Sequence, residues 1–314
     1  MTWSADLAPV VDDVLSATPR ERLWETVVDL DWTTVGVDET AGGAGGDVRD
    51  QAELAGGAGR HAIGIPLWET AHAAWAMTRA GLELPERGQP AVVVTDPSRA
   101  VAWGDHDTVV LLVHADSLMR VPARCRIAPD SATLAGEPAG LLDLDAAAPG
   151  DIGGVSLDPA LAEEIRGRGA LLRAAALHGA MHSACELTRE HVQSREQFGR
   201  PLASHQAVAH ALATMVLERD RVRAGIDEAL DRGGPGPAEA ARAAAAAAAG
   251  QVASAAHQLL GAMGTTREHS LHHFTRRLWS WRDADGSQHT WERRVGERAL
   301  AGDDDDALWS LVTG

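Results

Sequence analysis

The chain has 314 residues, 45% of them hydrophobic, which is enough for two or three domains, or one elaborate one, with a sizeable buried core. Its 28 basic residues stand against 45 Asp plus Glu, a net charge of −17 that repels phosphate backbones and anionic lipid surfaces, so nucleic acid and membrane are poor candidate partners. Every basic residue is Arg; a chain without Lys has neither a Walker-type phosphate loop nor a Schiff-base lysine.

The opening "MTWSADLAPVVDDVL" has no basic stretch and no continuous apolar core, and no window approaches the roughly eighteen apolar residues a membrane span needs, so the expectation is a cytoplasmic protein. From about Leu7 to Leu82 apolar residues recur at helical spacing, as in "LWETVVDLDW" and "PLWETAHAAWAMTRAGL", with the Gly-rich "TAGGAGGDVRD" as a long turn between helices. No β-run precedes that Gly cluster, so it is not a dinucleotide-binding turn. Past "ELPERGQP" the pattern changes to short β-branched or apolar runs, "AVVVTDP", "AVAW", "TVVLLVH", "RVPARCRIA" and "LLDLD". Their close spacing argues against parallel strands joined by helical crossovers. From Asp158 one long helix is expected through "ALAEEIRGRGALLRAAALHGAMHSACELTREHVQSREQF", stopped by Gly199 and Pro201, with Ser204 as cap of the next. That next helix carries Val208, Leu212, Met215 and Val216 on one stripe and ends before "DRGGPGP", and the run from Ala238 to Ala249 favours a closely packed helix. The fold class read from these elements is mainly α with a small β domain: an N-terminal helical domain (residues 1–86), a small β domain (87–157) and a C-terminal helical bundle (158–314).

Cys125 and Cys185 lie 60 positions apart without metal-type spacing and read as buried thiols. His178 and His182 are one helical turn apart with Glu186 beyond them, but "HGAMH" lacks a zincin's Glu, and bundle packing is the better explanation; no metal site is expected. The run Asp303 to Asp306 lacks the Gly and closing Glu of a calcium loop and reads as a solvated face or a cap for "ALWSLV".

Two segments carry a family resemblance. "SREQFGRPLASHQAVAHALATM", Ser194 to Met215, resembles the R-x-x-F-G turn and following Q-A-V of the acyl-CoA dehydrogenase family, and "HQLLGAMGTTREHSLHHFTRR" resembles its Q-[IL]-L-G-G-x-G-x-x-x-E segment. The order helical, β, helical agrees with that fold, in which the last part is a four-helix bundle. The resemblance implies FAD as cofactor and an acyl-CoA as substrate, with Arg195, Gln197 and Phe198 reaching the FAD of a neighbouring subunit and Gln258 and Gly261 contributing from the second segment. A guanidinium, a helix end and a Gly suit a pyrophosphate. Where the family has a second Gly, this chain has Ala262. The bland alternative is a helix-end salt bridge for Arg195 and a packing role for Phe198.

In this family a carboxylate removes the acidic α-proton of the thioester while a hydride leaves the β-carbon for flavin N5. Counted without a gap from the second motif, the family's catalytic Glu becomes Asp285, and "DGS" stands for "EGT". Asp is one methylene shorter, so backbone or substrate must come about 1.5 Å closer. Asp285 is also the first half of an Asp-Gly turn pair, and both roles stay open. Ser287 corresponds to a hydroxyl that bonds the flavin, Asp283 is a fallback base, and Trp279, Trp281 and Trp291 are candidate pocket walls. The family's alternative base position, on the first long helix, falls on Gly169.

The β domain lacks the family's T-E-x-x-A-G-S-D segment; "TDPSRAVAWGDHDTVVLLV" stands there, with Trp103 its one aromatic. This resembles shortened bacterial relatives that degrade steroid or other bulky acyl chains, some of them heteromers of one competent and one incompetent subunit. The resemblance therefore implies an FAD-dependent α,β-dehydrogenase of acyl-CoA, or else a non-catalytic or half-site subunit that supplies FAD contacts to its partner. It implies a homo-oligomer or an α2β2-type heteromer, with an electron-transfer flavoprotein or oxygen as electron acceptor.

Overall fold

A computed structural model describes residues 4–104, 107–127, 132–146 and 153–301. The Asp303–Asp306 run and "ALWSLV" lie outside the described residues. The N-terminal part holds four helices, α1 (Ala8–Ala17), α2 (Leu23–Asp29), α3 (Val48–Arg60) and α4 (Leu67–Arg79). The Gly-rich stretch is indeed the turn before α3, and Asp47 ends it with a capping box, accepting from the Arg49 and Asp50 amides while Asp50 accepts from its own.

Seven short strands follow: β1 (Ala91–Val94), β2 (Val101–Ala102), β3 (Val109–His114), β4 (Ser117–Val121), β5 (Arg126–Ile127), β6 (Ala139–Leu142) and β7 (Gly154–Ser156). They form one sheet in the order β1-β3-β4-β7 and another in the order β2-β6-β5. Strands β1 and β3 are nevertheless parallel, Ala91 facing Val109 through Val94 facing Leu112. No crossover helix joins them; the connecting chain makes β2 of the second sheet on its way, and that excursion supplies the length a parallel return needs.

The C-terminal part consists of α5 (Pro159–Ser194), a two-stranded ribbon of β8 (Glu196–Gln197) and β9 (Arg200–Pro201), then α6 (Gln206–Arg232), α7 (Pro235–Leu260), α8 (Leu271–Arg282) and α9 (Gln288–Leu300). Two boundaries differ from expectation. The long helix ends at Ser194, five residues before the Gly, since "REQFGRP" pairs with itself as a hairpin and Phe198 (φ 54°) and Gly199 (φ 77°) turn it. Ser204 does not cap α6; its hydroxyl donates to the Pro201 carbonyl instead.

The helix α5 is the spine, packed on α3, α6, α7 and α8, and the largest core cluster runs through all of them and α1. Small residues allow that closeness: a Cβ on Gly59 would sit 2.1 Å from the Ala176 carbonyl oxygen, and one on Gly179 2.0 Å from that of Gly56. The Ala-rich α7 buries Ala245, Ala248 and Ala249 against the bundle. Both cysteines are buried free thiols, and burial pushes Cys185 up to about 12. His178 is buried in α5, where burial and then Arg223 hold its imidazole well below its usual range, and among the described residues no cluster is suited to a metal ion. Among them, too, no helix is long and apolar enough to cross a membrane.

Candidate active site

The three parts meet around a cavity of about 320 Å³, walled by α4, by β1 and the chain from it to β2, by the first half of α5, and by the loop between α8 and α9. Its floor is a charged cluster that hydrophobic periodicity alone does not reveal. The Arg173 side chain, buried on α5, donates from Nε to Asp285 Oδ2 at 3.1 Å and reaches Glu69 Oε1 of α4 with Nη1 at 3.5 Å. Its guanidinium stacks on Trp68, 4.4 Å from the ring centre, with Trp281 at 5.8 Å. The far carboxylate oxygen of Glu69, Oε2, has no hydrogen-bond partner among the described residues. Burial, against the pull of Arg173 and with help from Glu137 and Asp285, raises the Glu69 carboxyl to about 8, so Glu69 carries its proton at neutral pH. One turn on, His72 donates from Nε2 to the Ile165 carbonyl at 3.1 Å, and burial followed by the nearby Arg168 charge lowers it to about 4.

Asp285 is placed by its backbone as well as by Arg173. It adopts φ 58°, followed by Gly286 at 125°, so the α8–α9 loop turns sharply. Beneath the loop lies Arg242 of α7, fully buried, whose Nη2 donates to the carbonyls of Trp281, Arg282 and Ala284 at 3.0, 3.0 and 2.8 Å. Arg99, from the chain between β1 and β2, donates to the Asp283 carbonyl at 3.0 Å and ties the β domain to the same loop. Trp281 donates from Nε1 to the buried Glu137 at 2.6 Å.

The sequence-derived candidates fall into two groups. Asp285, Asp283, Trp281, Trp291, Trp103 and Gly169 line the cavity. The carboxylate of Asp283 is bonded by Arg282 at 2.7 Å. A Cβ on Gly169 would stand 2.9 Å from His72 Cε1, so this position has no room for a carboxylate side chain. Trp279 lies outside the wall and stacks on Arg282 at 4.9 Å. Ser287, next to the cavity loop, is the N-cap of α9, its hydroxyl accepting from the Thr290 amide at 3.2 Å.

The second group sits at the other end of α5. Arg195 follows Arg173 by twenty-two residues, about 33 Å along the helix. Arg195, Gln197 and Phe198 form an exposed hairpin, with Phe198 90% exposed and in an edge contact with the His205 ring. Gln258 is exposed on the last turn of α7, and Gly261 (φ 59°) ends that helix with nothing within 4 Å of where a Cβ would be. His191, on the last turn of α5, is held below its usual range by burial, then by His269 and Arg195, which places the segment after Gly261 beside the hairpin.

Arg173, Glu69 and Arg242 escape a reading by motif. The signal for each is a single charge in an otherwise apolar helical run, "ALLRAAALHG", "PLWETAHAAW" and "AARAAAAAAAG". Charges so placed are buried only when paired.

Known proteins resemble this chain in sequence and in fold. Residues 161–300 match the family profile described as acyl-CoA dehydrogenase, C-terminal domain. The chain is 29% identical over 265 residues to acyl-CoA dehydrogenase IpdE2 of Mycobacterium tuberculosis, covering 82% of this chain and 80% of that one. In fold it is similar to the ChsE4-ChsE5 complex of Mycobacterium tuberculosis, with a TM-score of 0.79 at 20% identity over 97% of this chain and 100% of that one. It is likewise similar to the Tcur3481-Tcur3483 steroid ACAD G363A variant, with a TM-score of 0.75 at 22% identity over 94% and 92%. Residues 161–300 thus form an acyl-CoA dehydrogenase C-terminal domain, and a relative similar over four-fifths of both lengths, together with the shared fold, marks the chain as similar to that oxidoreductase family.

Proposed function

We propose that the chain is a subunit of an FAD-dependent acyl-CoA dehydrogenase that forms an α,β double bond in an acyl thioester. The observation that carries this reading is the separation along α5: a cavity with a carboxylate at one end and an exposed Arg195–Phe198 hairpin about 33 Å away. A ligand reacting at Asp285 has its reactive end out of reach of Arg195 in the same chain, while a 90% exposed Phe beside an Arg is suited to contact with another molecule. FAD fits that surface, because Arg195 can bond a pyrophosphate, Phe198 can cover an aromatic ring and the open Gly261 allows close approach. Gln197 and Gln258 complete the set that would hold it. When bound, FAD supplies a hydride acceptor at N5.

The chain's own residues account for the rest. Asp285 takes the α-proton onto a carboxylate oxygen as the α C–H bond breaks, and Arg173 orients that carboxylate. Trp281 and Trp291, both buried in the cavity wall, keep water from the reacting carbons. The neighbouring subunit is a second copy or a related chain, as in the complex named above, and the substrate class favoured is a bulky or ring-bearing acyl-CoA. Purified enzyme with bound FAD, mixed anaerobically with such an acyl-CoA, is expected to lose its flavin absorbance, and Asp285→Asn is expected to abolish the fast loss. Bleaching as fast as the parent's in Asp285→Asn would exclude Asp285 as the base.

A second reading has its own support. Arg173 engages Asp285, and Arg99 bridges the β domain to the Asp283 carbonyl, so cavity and loop are tied from both sides. These contacts favour a half-site subunit that lends its hairpin to a partner's flavin and performs no chemistry. Stoichiometric flavin in the lone chain, reducible by an acyl-CoA, excludes this reading; flavin seen only with a co-purified related subunit supports it.

A further inference from the structure

Among the ionisable groups of the cavity that α-proton removal by Asp285 does not use, Glu69 is the one that shares a cation with it. Glu69 enters from α4, more than two hundred residues away in sequence from Asp285, and the two carboxylates share one cation. Arg173 stands between them, 3.1 Å from Asp285 and 3.5 Å from Glu69, buried with Trp68 4.4 Å and Trp281 5.8 Å from its guanidinium. We infer that Glu69 and Asp285 form a coupled carboxyl pair holding one proton between them through Arg173, with Glu69 as the positioning residue that sets how firmly the guanidinium holds Asp285.

The geometry favours this in three ways. The Asp285 side chain is 32% exposed, while that of Glu69 is 9% exposed, so water supports the charge of the first and not of the second. The hydrogen bond from Arg173 to Asp285 is the shorter of the two. Among the described residues Glu69 Oε2 has no hydrogen-bond partner, which costs less for a neutral carboxyl than for a charged one. The charged and titratable groups facing the pair are Arg173 from α5, Glu137 from the β domain, Arg242 from α7 and His72 from α4 itself, with Arg168 behind His72. Glu137 adds to the pressure on Glu69 to stay neutral. His72, lowered to about 4, brings no compensating positive charge near neutrality.

Two consequences follow for proton chemistry. At neutral pH Glu69 is neutral and does not compete with Asp285 for the Arg173 guanidinium. Above about 8, Glu69 ionises and competes for the same guanidinium, so Arg173 is shared and Asp285 is held less firmly. On the proposed function, where Asp285 must leave Arg173 partly to accept the α-proton, abstraction then speeds up in the alkaline range.

The test follows Glu69 directly and requires no turnover. Infrared difference spectra of the full-length chain, with and without isotope-labelled Glu, are recorded from pH 6 to pH 10. The expected wild-type result is a protonated carboxyl signal lost with a midpoint of about 8 and absent from Glu69→Gln. In Asp285→Asn, or in Asp285→Ser should the Asn chain not fold, the negative charge that raised Glu69 is gone, and the midpoint falls by about one pH unit, a tenfold drop in proton affinity. A Glu69 already ionised at pH 6, or one with the same midpoint when Asp285 is neutral, overturns the inference. The coupling rests on the proposed function only for its kinetic consequence: a shifted midpoint in a chain that never bleaches flavin supports the pair and removes the function. Normal bleaching with an unmoved midpoint does the reverse.

Discussion

Asp285 occupies the left-handed region at φ 58°, which Asp tolerates better than most residues, and its carboxylate is bonded by a buried guanidinium. Asparagine tolerates the same backbone and can still accept from Arg173, so Asp285→Asn keeps the geometry and removes the proposed base. The expected loss in the rate of flavin reduction is on the order of a hundredfold to ten-thousandfold, measured by stopped flow with FAD content unchanged. The neighbouring groups make stability depend on pH in opposite directions. His72 titrates at about 4 in the fold against 6.5 in a free chain, so the unfolded state takes up the proton first and stability falls as pH drops from 6.5 towards 4. Glu69 titrates at about 8 against 4.5, so the unfolded state loses its proton first and stability falls as pH rises from 4.5 towards 8. Urea unfolding across this range is expected to show the alkaline slope flattened in Glu69→Gln and the acid slope flattened in His72→Gln.

The α8–α9 loop is held as a unit, from below by Arg242 and from the side by Arg99. Burial, with Arg173 opposing and Asp285 assisting its charge, lowers Arg242 to about 9, and it still serves three carbonyls at the end of α8. Arg242→Met leaves those carbonyls without a donor, and each buried acceptor left unpaired costs roughly 1–3 kcal/mol. A lower melting temperature with slower bleaching is expected, and partial recovery of both in Arg242→Lys. At this scale the sequence was unevenly legible. Helical periodicity, the switch to short β-runs and the R-x-x-F-G turn could be read because each is a local pattern of a few neighbouring residues. The end of α5 at Ser194 could not, since "SREQF" continues a good helical pattern and only hairpin pairing of Gln197 with Arg200 overrides it. The Glu69–Arg173–Asp285 cluster was hidden for a different reason: its members are 104 and 112 positions apart, and only the packing of α4, α5 and the α8–α9 loop brings them together. Asp285 itself was found by counting from a motif, and the counting gave no sign of the guanidinium that holds it.

Across the whole molecule, α5 connects two surfaces with different tasks, a cavity closed by three parts of one chain and a hairpin exposed at the far end. The net charge of −17 is spread over a chain whose hairpin nevertheless offers Arg195 and Arg200, a local cationic spot suited to a phosphate. The proposed function puts a flavin between subunits at that hairpin, so flavin retention should depend on assembly. The measurement that probes this most directly is sedimentation velocity of the purified protein, alone and with a related subunit, recorded at the flavin and protein absorbances together. Flavin is expected to sediment only with a species of two or more chains, and Arg195→Ala with Phe198→Ala is expected to strip flavin from that species while Asp285→Asn leaves it bound. Stoichiometric flavin on a single chain, unaffected by loss of Arg195 and Phe198, would contradict the account.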